Sequence, residues 1–139
     1  MKTSDLYQKM KEENIYYINH RLLFTRAAIA HYNNITAIVV DDKQVISEES
    51  KNTVLIQELG HYMAGAYYHT NSPYEFIAEM EHKADVKAWE EFFPYEEIKK
   101  LMKKGLTTAS QIAKYYHVEA SYMARCLNYY YKHYDGFDF

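Results

Sequence analysis

Gln57-Glu58-Leu59-Gly60-His61 sets a carboxylate three residues before an imidazole, with an amide one helical turn before that imidazole. Residues four apart on a helix project from the same side. Side chains at 57 and 61 could therefore grip one ion. The stretch is one residue short of H-E-x-x-H, in which two histidines bind zinc and the intervening glutamate takes a proton from the metal-bound water. The metal lowers that water's pKa towards 7 and polarises the carbonyl to be cut. Glu58 and His61 are in place, and Gln57 stands where the first histidine would be.

Such a site needs one more protein ligand. Ile77, Glu81, Ala84 and Ala88 fall at i, i+4, i+7 and i+11, a helical core stripe with a carboxylate in its middle. A lone buried carboxylate is costly unless it is paired or binds metal. Glu81 follows His61 by 20 residues, enough for a turn and a returning helix. Asp85, one turn further on, is placed to support the ligands from behind. His82 points about 100° away from Glu81 on an ideal helix. Alone, E-x-x-H recurs by chance on helices, and Glu81 could pair with a lysine or arginine instead. Together, on consecutive helices, the two features favour a metal site. His20, His31, His69, His117 and His133 read as surface or packing residues. His69 would lie about 12 Å beyond His61 along a continuing helix, too far to share an ion.

The elements that must position these residues are legible in outline. Ser4 is a candidate cap for a helix over roughly 4–14. Ala28–Tyr32 and Ile35–Val40 flank Asn33-Asn34, and asparagine tolerates positive φ, so a β-hairpin follows. Asp41-Asp42-Lys43 reads as a second turn into a strand at Gln44–Ser47, giving a small antiparallel meander. Glu48–Asn52 reads as a polar connection. From Thr53 to about Tyr68 the pattern is helical, with Leu55, Leu59, Met63 and Ala66 on one face. Ser72-Pro73-Tyr74-Glu75 reads as a capping box with proline at the first helical position, starting a helix that stops at Pro94. A helix over roughly 95–104 ends at Gly105. Thr108 and Gln111 form another capping box, and a last helix covers about Ala120 to Lys132. The expectation is one α+β domain over residues 1–139: a small antiparallel sheet, a metal-site helix pair and a helical tail.

The chain has 139 residues, 48% hydrophobic and 25% charged, which is a globular composition. No apolar run approaches membrane-spanning length, and no apolar block follows the N-terminus as in a secretory signal. Cys126 is the sole cysteine, so no internal disulfide forms and a reducing, cytoplasmic setting is expected. Net charge is 16 − 19 = −3, which excludes a strongly basic nucleic-acid binder. Residues 1–98 hold 9 Lys/Arg against 16 Asp/Glu, and residues 99–139 hold 7 against 3. The basic tail is a weak hint of an acidic partner, and solvated helix surfaces are the favoured explanation. The sixteen tyrosines read as half-buried packing residues with wet hydroxyls.

Taken in order, these blocks resemble the ImmA/IrrE family of zinc metallopeptidases, found in phages and integrative elements. The resemblance rests on the hairpin Ala28–Val40 and on Val54-Leu-Ile-Gln-Glu-Leu-Gly-His61, where the family has an apolar run into H-E-L-G-H. It continues through Tyr62-Met-Ala-Gly65, Glu81-His-Lys-Ala-Asp85-Val-Lys-Ala88, Phe93-Pro94 and Gln111–Val118. It implies that His61 and Glu81 are zinc ligands, that Glu58 is the general base, and that position 57 is the first ligand. It also implies a protein substrate, a helix-turn-helix repressor of a mobile element or of stress genes.

Gln57 complicates that inheritance. An amide offers only a neutral carbonyl oxygen, a weaker zinc donor than imidazole. Zinc affinity is therefore expected to fall by orders of magnitude, and peptidase activity with it. Three readings are open: a natural pseudo-peptidase that binds its partner without cutting, an introduced or incidental change in an active enzyme, or a site completed by another residue such as His82. The tail suggests one more function class. Thr108–Tyr116 and Ala120–Lys132 resemble a helix-turn-helix with Lys114, Arg125 and Lys132 nearby. The second helix has few donors suited to base edges, so the pair is expected to close the core through Ile112, Ala113, Val118, Met123 and Leu127.

Overall fold

The computed structural model describes residues 1–134. Helix α1 (Thr3–Glu12) leads into strand β1 (Ile15–Asn19), then into strands β2 (Ala27–Tyr32) and β3 (Ile35–Val40). Helices α2 (Glu48–Ala64), α3 (Tyr74–Phe92), α4 (Tyr95–Lys103), α5 (Ala109–Tyr116) and α6 (Ala120–His133) follow. The class is α+β, as the sequence implies.

The hairpin forms where expected. Asn33 and Asn34 both take positive φ, 51° and 63°, the pair of left-handed residues that matches a two-residue turn to strand twist. β2 runs antiparallel to β3, from Ala27 opposite Val40 to Tyr32 opposite Ile35. The third strand differs from expectation. It is β1, lying parallel to β3 with Ile15 opposite Thr36 and Asn19 opposite Val40. The order is β1-β3-β2 and the sheet is mixed.

Gln44–Ser47 forms no strand because its neighbourhood is committed to a loop. The Asp41 carboxylate accepts from Leu22 N at 3.0 Å, Gln44 Nε2 at 2.8 Å and Arg21 Nε at 3.2 Å. Gln44 also donates to the Leu22 and Thr25 carbonyls. These bonds stitch residues 20–26 over the end of the sheet.

α2 starts five residues before the expected point. Ser47 caps it, accepting from Ser50 N at 3.0 Å, so the expected polar connection at Glu48–Asn52 is its first turn. Polar residues there are buried because each has partners. Asn52 donates to the His117 carbonyl and accepts from Thr3 Oγ1, and Thr53 Oγ1 accepts from Glu119 N and donates to the Glu49 carbonyl. The helix ends at Gly65, φ 62°, earlier than Tyr68. Gly65 N bonds the Tyr62 carbonyl and Ala66 N the His61 carbonyl, the paired bonds of a left-handed helix stop.

α3 begins after Pro73 without a side-chain cap. The expected capping box is absent: the Ser72 hydroxyl accepts from His69 N at 3.1 Å instead. Two small residues of α3, Ala84 and Ala88, are buried against α2. Pro94 ends this helix and opens α4, with the Tyr130 hydroxyl donating to the Phe93 carbonyl at 2.7 Å. The Thr108–Gln111 capping box forms as expected. Ile112, Ala113, Val118, Met123 and Leu127 all face the core. Two charges of this region act within the fold, Glu119 gripping Arg26 through two bonds and Arg125 reaching Asp85. Among the described residues, no helix is long and apolar enough to cross a membrane.

Candidate functional site

His61 and Glu81 meet across the α2–α3 interface. His61 is buried, and its Nε2 lies 3.3 Å from Glu81 Oε2. The opposite ring nitrogen, Nδ1, lies 2.6 Å from the Ala66 carbonyl. A carbonyl can only accept, so Nδ1 carries the proton and Nε2 is the atom presented to Glu81. The left-handed turn at Gly65 brings Ala66 back to do this. Ala66 thus clamps His61 twice, by its N–H on the His61 backbone and by its carbonyl on the ring.

Glu81 is half exposed, its side chain 46% accessible. It lies at the rim of the α3 stripe and not in its buried middle, because Ile77 before it is itself only half-buried. Its second oxygen, Oε1, accepts from the Tyr68 hydroxyl. The Tyr68 ring stands edge-on to the His61 ring at 5.9 Å. Asp85 is buried and pairs with Arg125 of α6, whose guanidinium lies over Trp89 and Tyr122.

The charges of the site are coupled. Burial opposes a positive His61, but Glu81 and the Ala66 carbonyl outweigh it and hold the imidazolium up to about 9. Correspondingly, the hydrogen bond from His61 keeps Glu81 below its usual range. Glu58 is pushed up to about 7, by burial first, with His61 opposing and Glu81 adding to the rise. Burial also raises Asp85, against the pull of Arg125.

The IrrE N-terminal-like domain, a peptidase family, matches residues 10–128. The chain belongs to the ImmA/IrrE family. Comparison with curated proteins and with solved structures gave no match. ImmA/IrrE proteins are zinc-metallopeptidase-like, so the donor set can be tested against zinc. The His61 Nε2–Glu81 Oε2 separation of 3.3 Å suits two neighbouring ligands of a tetrahedral ion with bonds of about 2.0–2.1 Å. The third donor does not suit it. Gln57 offers an amide oxygen, and among the described residues no group of three or more His, Cys, Asp or Glu could hold an ion. His82 does not complete the set, since it is exposed and packs edge-on to Tyr129. The residues present fall short of a full zinc site.

Sequence reasoning missed Ala66 and Tyr68. Gly65 was the available signal for a sharp return of the chain after His61. Nothing in the sequence marks Tyr68, one of sixteen tyrosines.

Proposed function

We propose that this ImmA/IrrE-family chain acts on a protein partner as a peptidase scaffold with a disabled metal centre, binding that partner without efficient zinc-dependent hydrolysis. A helix-turn-helix repressor of a mobile element is the partner class that family membership suggests. Glu58, His61 and Glu81 are the inherited catalytic and ligand residues, Gln57 is the vacant ligand position, and Asp85, expected to support the ligands, pairs with Arg125 instead. The carrying observation is that His61 and Glu81 converge at ligand spacing while position 57 supplies only an amide.

A second reading, weak residual peptidase activity, is favoured by Glu58. A half-buried carboxyl poised near neutrality has the properties of a general base. In an intact site zinc would supply an activated water. Here the chain's own groups retain a base, an oriented imidazole and a carboxylate.

Elemental analysis with zinc titration separates the two. The unmodified chain is expected to hold far less than one zinc, and Gln57→His to bind zinc more tightly by orders of magnitude. Stoichiometric zinc and partner cleavage by the unmodified chain would sink the proposal. Equal zinc affinity in Gln57→His would sink the site assignment.

A further inference from the structure

We propose that Tyr68 is a positioning residue of this site: its hydroxyl holds one Glu81 oxygen so that the other faces His61 Nε2. This rests on the reading that His61 and Glu81 are the inherited ligand pair.

Glu81 needs such a restraint. It is half exposed on the rim of α3, and a free glutamate there samples several rotamers and turns to water. The hydrogen bond from Tyr68 to Oε1 leaves Oε2 as the oxygen that meets the imidazole. The other partner is fixed independently, because the Ala66 carbonyl orients His61. Ala66 and Tyr68 both belong to the short segment released by the Gly65 stop. One turn of chain after α2 therefore orients both halves of a pair whose members sit on different helices. Tyr68 also stands edge-on to the His61 ring, centroids 5.9 Å apart, so it touches both members of the pair. Hydrogen-bonded partners behind metal-binding side chains commonly change metal affinity by about 10–100-fold when removed. Tyr68 has the same relation to Glu81 that the Ala66 carbonyl has to His61.

The test reads the pair directly. In the chain as written, labelled at histidine nitrogens and kept metal-free, Glu81→Gln should move the His61 Nε2 resonance. Tyr68→Phe should move it in the same direction, with the thermal midpoint close to that of the parent. In the Gln57→His background, Tyr68→Phe should weaken zinc binding about tenfold. An Nε2 signal unmoved by Tyr68→Phe, or zinc affinity unchanged by it, overturns the role of Tyr68. If Glu81→Gln also leaves Nε2 unmoved, the His61–Glu81 pair is absent and the reading of the site falls with it. If Gln57→His takes up no zinc while Nε2 responds to both variants, the metal reading fails and the positioning role of Tyr68 stands.

Discussion

Gly60 and Ala84 meet backbone to backbone across the α2–α3 interface, so closely that a Cβ at position 60 would run into the Ala84 carbonyl and lie 2.9 Å from Ala88 Cβ. That approach allows His61, the next residue, to reach Glu81 on the facing helix. Gly60→Ala is expected to cost about 1–3 kcal/mol by overpacking, because neither the Ala84 backbone nor the Ala88 Cβ can rotate away. It should also separate the His61–Glu81 pair. Gly65 provides the contrast. Its surroundings are open, but its φ is +62°. Gly65→Ala should cost about 1–2 kcal/mol through backbone strain alone and leave the helix contact intact. Urea unfolding of both variants, with His61 followed by NMR, checks this. A Gly60→Ala chain as stable as the parent would contradict the packing described.

What the sequence disclosed depended on how locally each feature is determined. Asn33-Asn34 and the Thr108–Gln111 box are settled by residues in contact along the chain, and both form as read. β1 escaped because its partners on β3 lie 21 residues away and run parallel, and because Ile15-Tyr-Tyr-Ile18 is apolar or aromatic at every position, so the sequence shows no alternation although the folded strand does. The first turn of α2 escaped because its residues are polar yet buried: Ser50 bonds Ser47 within the cap, while Asn52 and the following Thr53 find partners far along the chain, in Thr3 of α1 and in His117 and Glu119 of the α5–α6 connection. Within the site, spacing placed His61 and Glu81 on consecutive helices, and they lie 3.3 Å apart; Asp85, expected behind them, pairs with Arg125, and the role of Glu58 is an expectation from the motif. The contacts of Tyr68 and Arg125 were not legible, since nothing in their own neighbourhood records which distant side chain they meet, whereas Gly65 marks the return that brings Ala66 to His61.

Arg125 is expected to matter for stability in a pH-dependent way. Its side chain is 55% exposed while Asp85 is 7% exposed, so solvent screens part of the interaction and the loss in Arg125→Ala should be about 1–3 kcal/mol at neutral pH. The sign follows from Asp85, whose carboxyl sits above its usual range through burial and is held down by Arg125. The folded state therefore keeps the proton longer than the unfolded state, and stability falls as pH rises. Removing Arg125 steepens that fall. Parent and variant should be close at about pH 4 and diverge towards pH 7. Urea midpoints at the two pH values test this, and a constant difference would show that Arg125 acts through packing on Trp89 and Tyr122 alone.

Asp41 should dominate the acid limb of stability. Hydrogen bonds from Gln44 and then Leu22 N lower its carboxyl to about 2. A depressed carboxylate contributes stability that is complete above its unfolded value of about 3.9 and is lost as pH falls through the folded value. Asp41→Asn should therefore flatten the dependence of the melting temperature between those two values and loosen residues 20–26. An acid limb unchanged by Asp41→Asn would assign it to other carboxyls.

Glu58 should reveal the cost of a poised carboxyl even without chemistry. Its value rises from 4.5 to about 7 on folding, chiefly by burial. The folded state binds the proton more tightly, so full stability is present below 4.5, declines as pH rises through the interval, and stays reduced above it. Glu58→Gln keeps the shape and removes the charge. In metal-free protein it should match the parent at low pH and exceed it at pH 8 by at most about 2–3 kcal/mol. In a Gln57→His protein that cleaves its partner, the same change should lower the rate by about 10²–10⁴-fold. A neutral amide that stabilises the fold while removing activity is the pattern of a residue retained for chemistry. If Glu58→Gln gives the same stability difference at low and high pH, the carboxyl is not desolvated in this way, and its candidacy as a general base loses its physical basis.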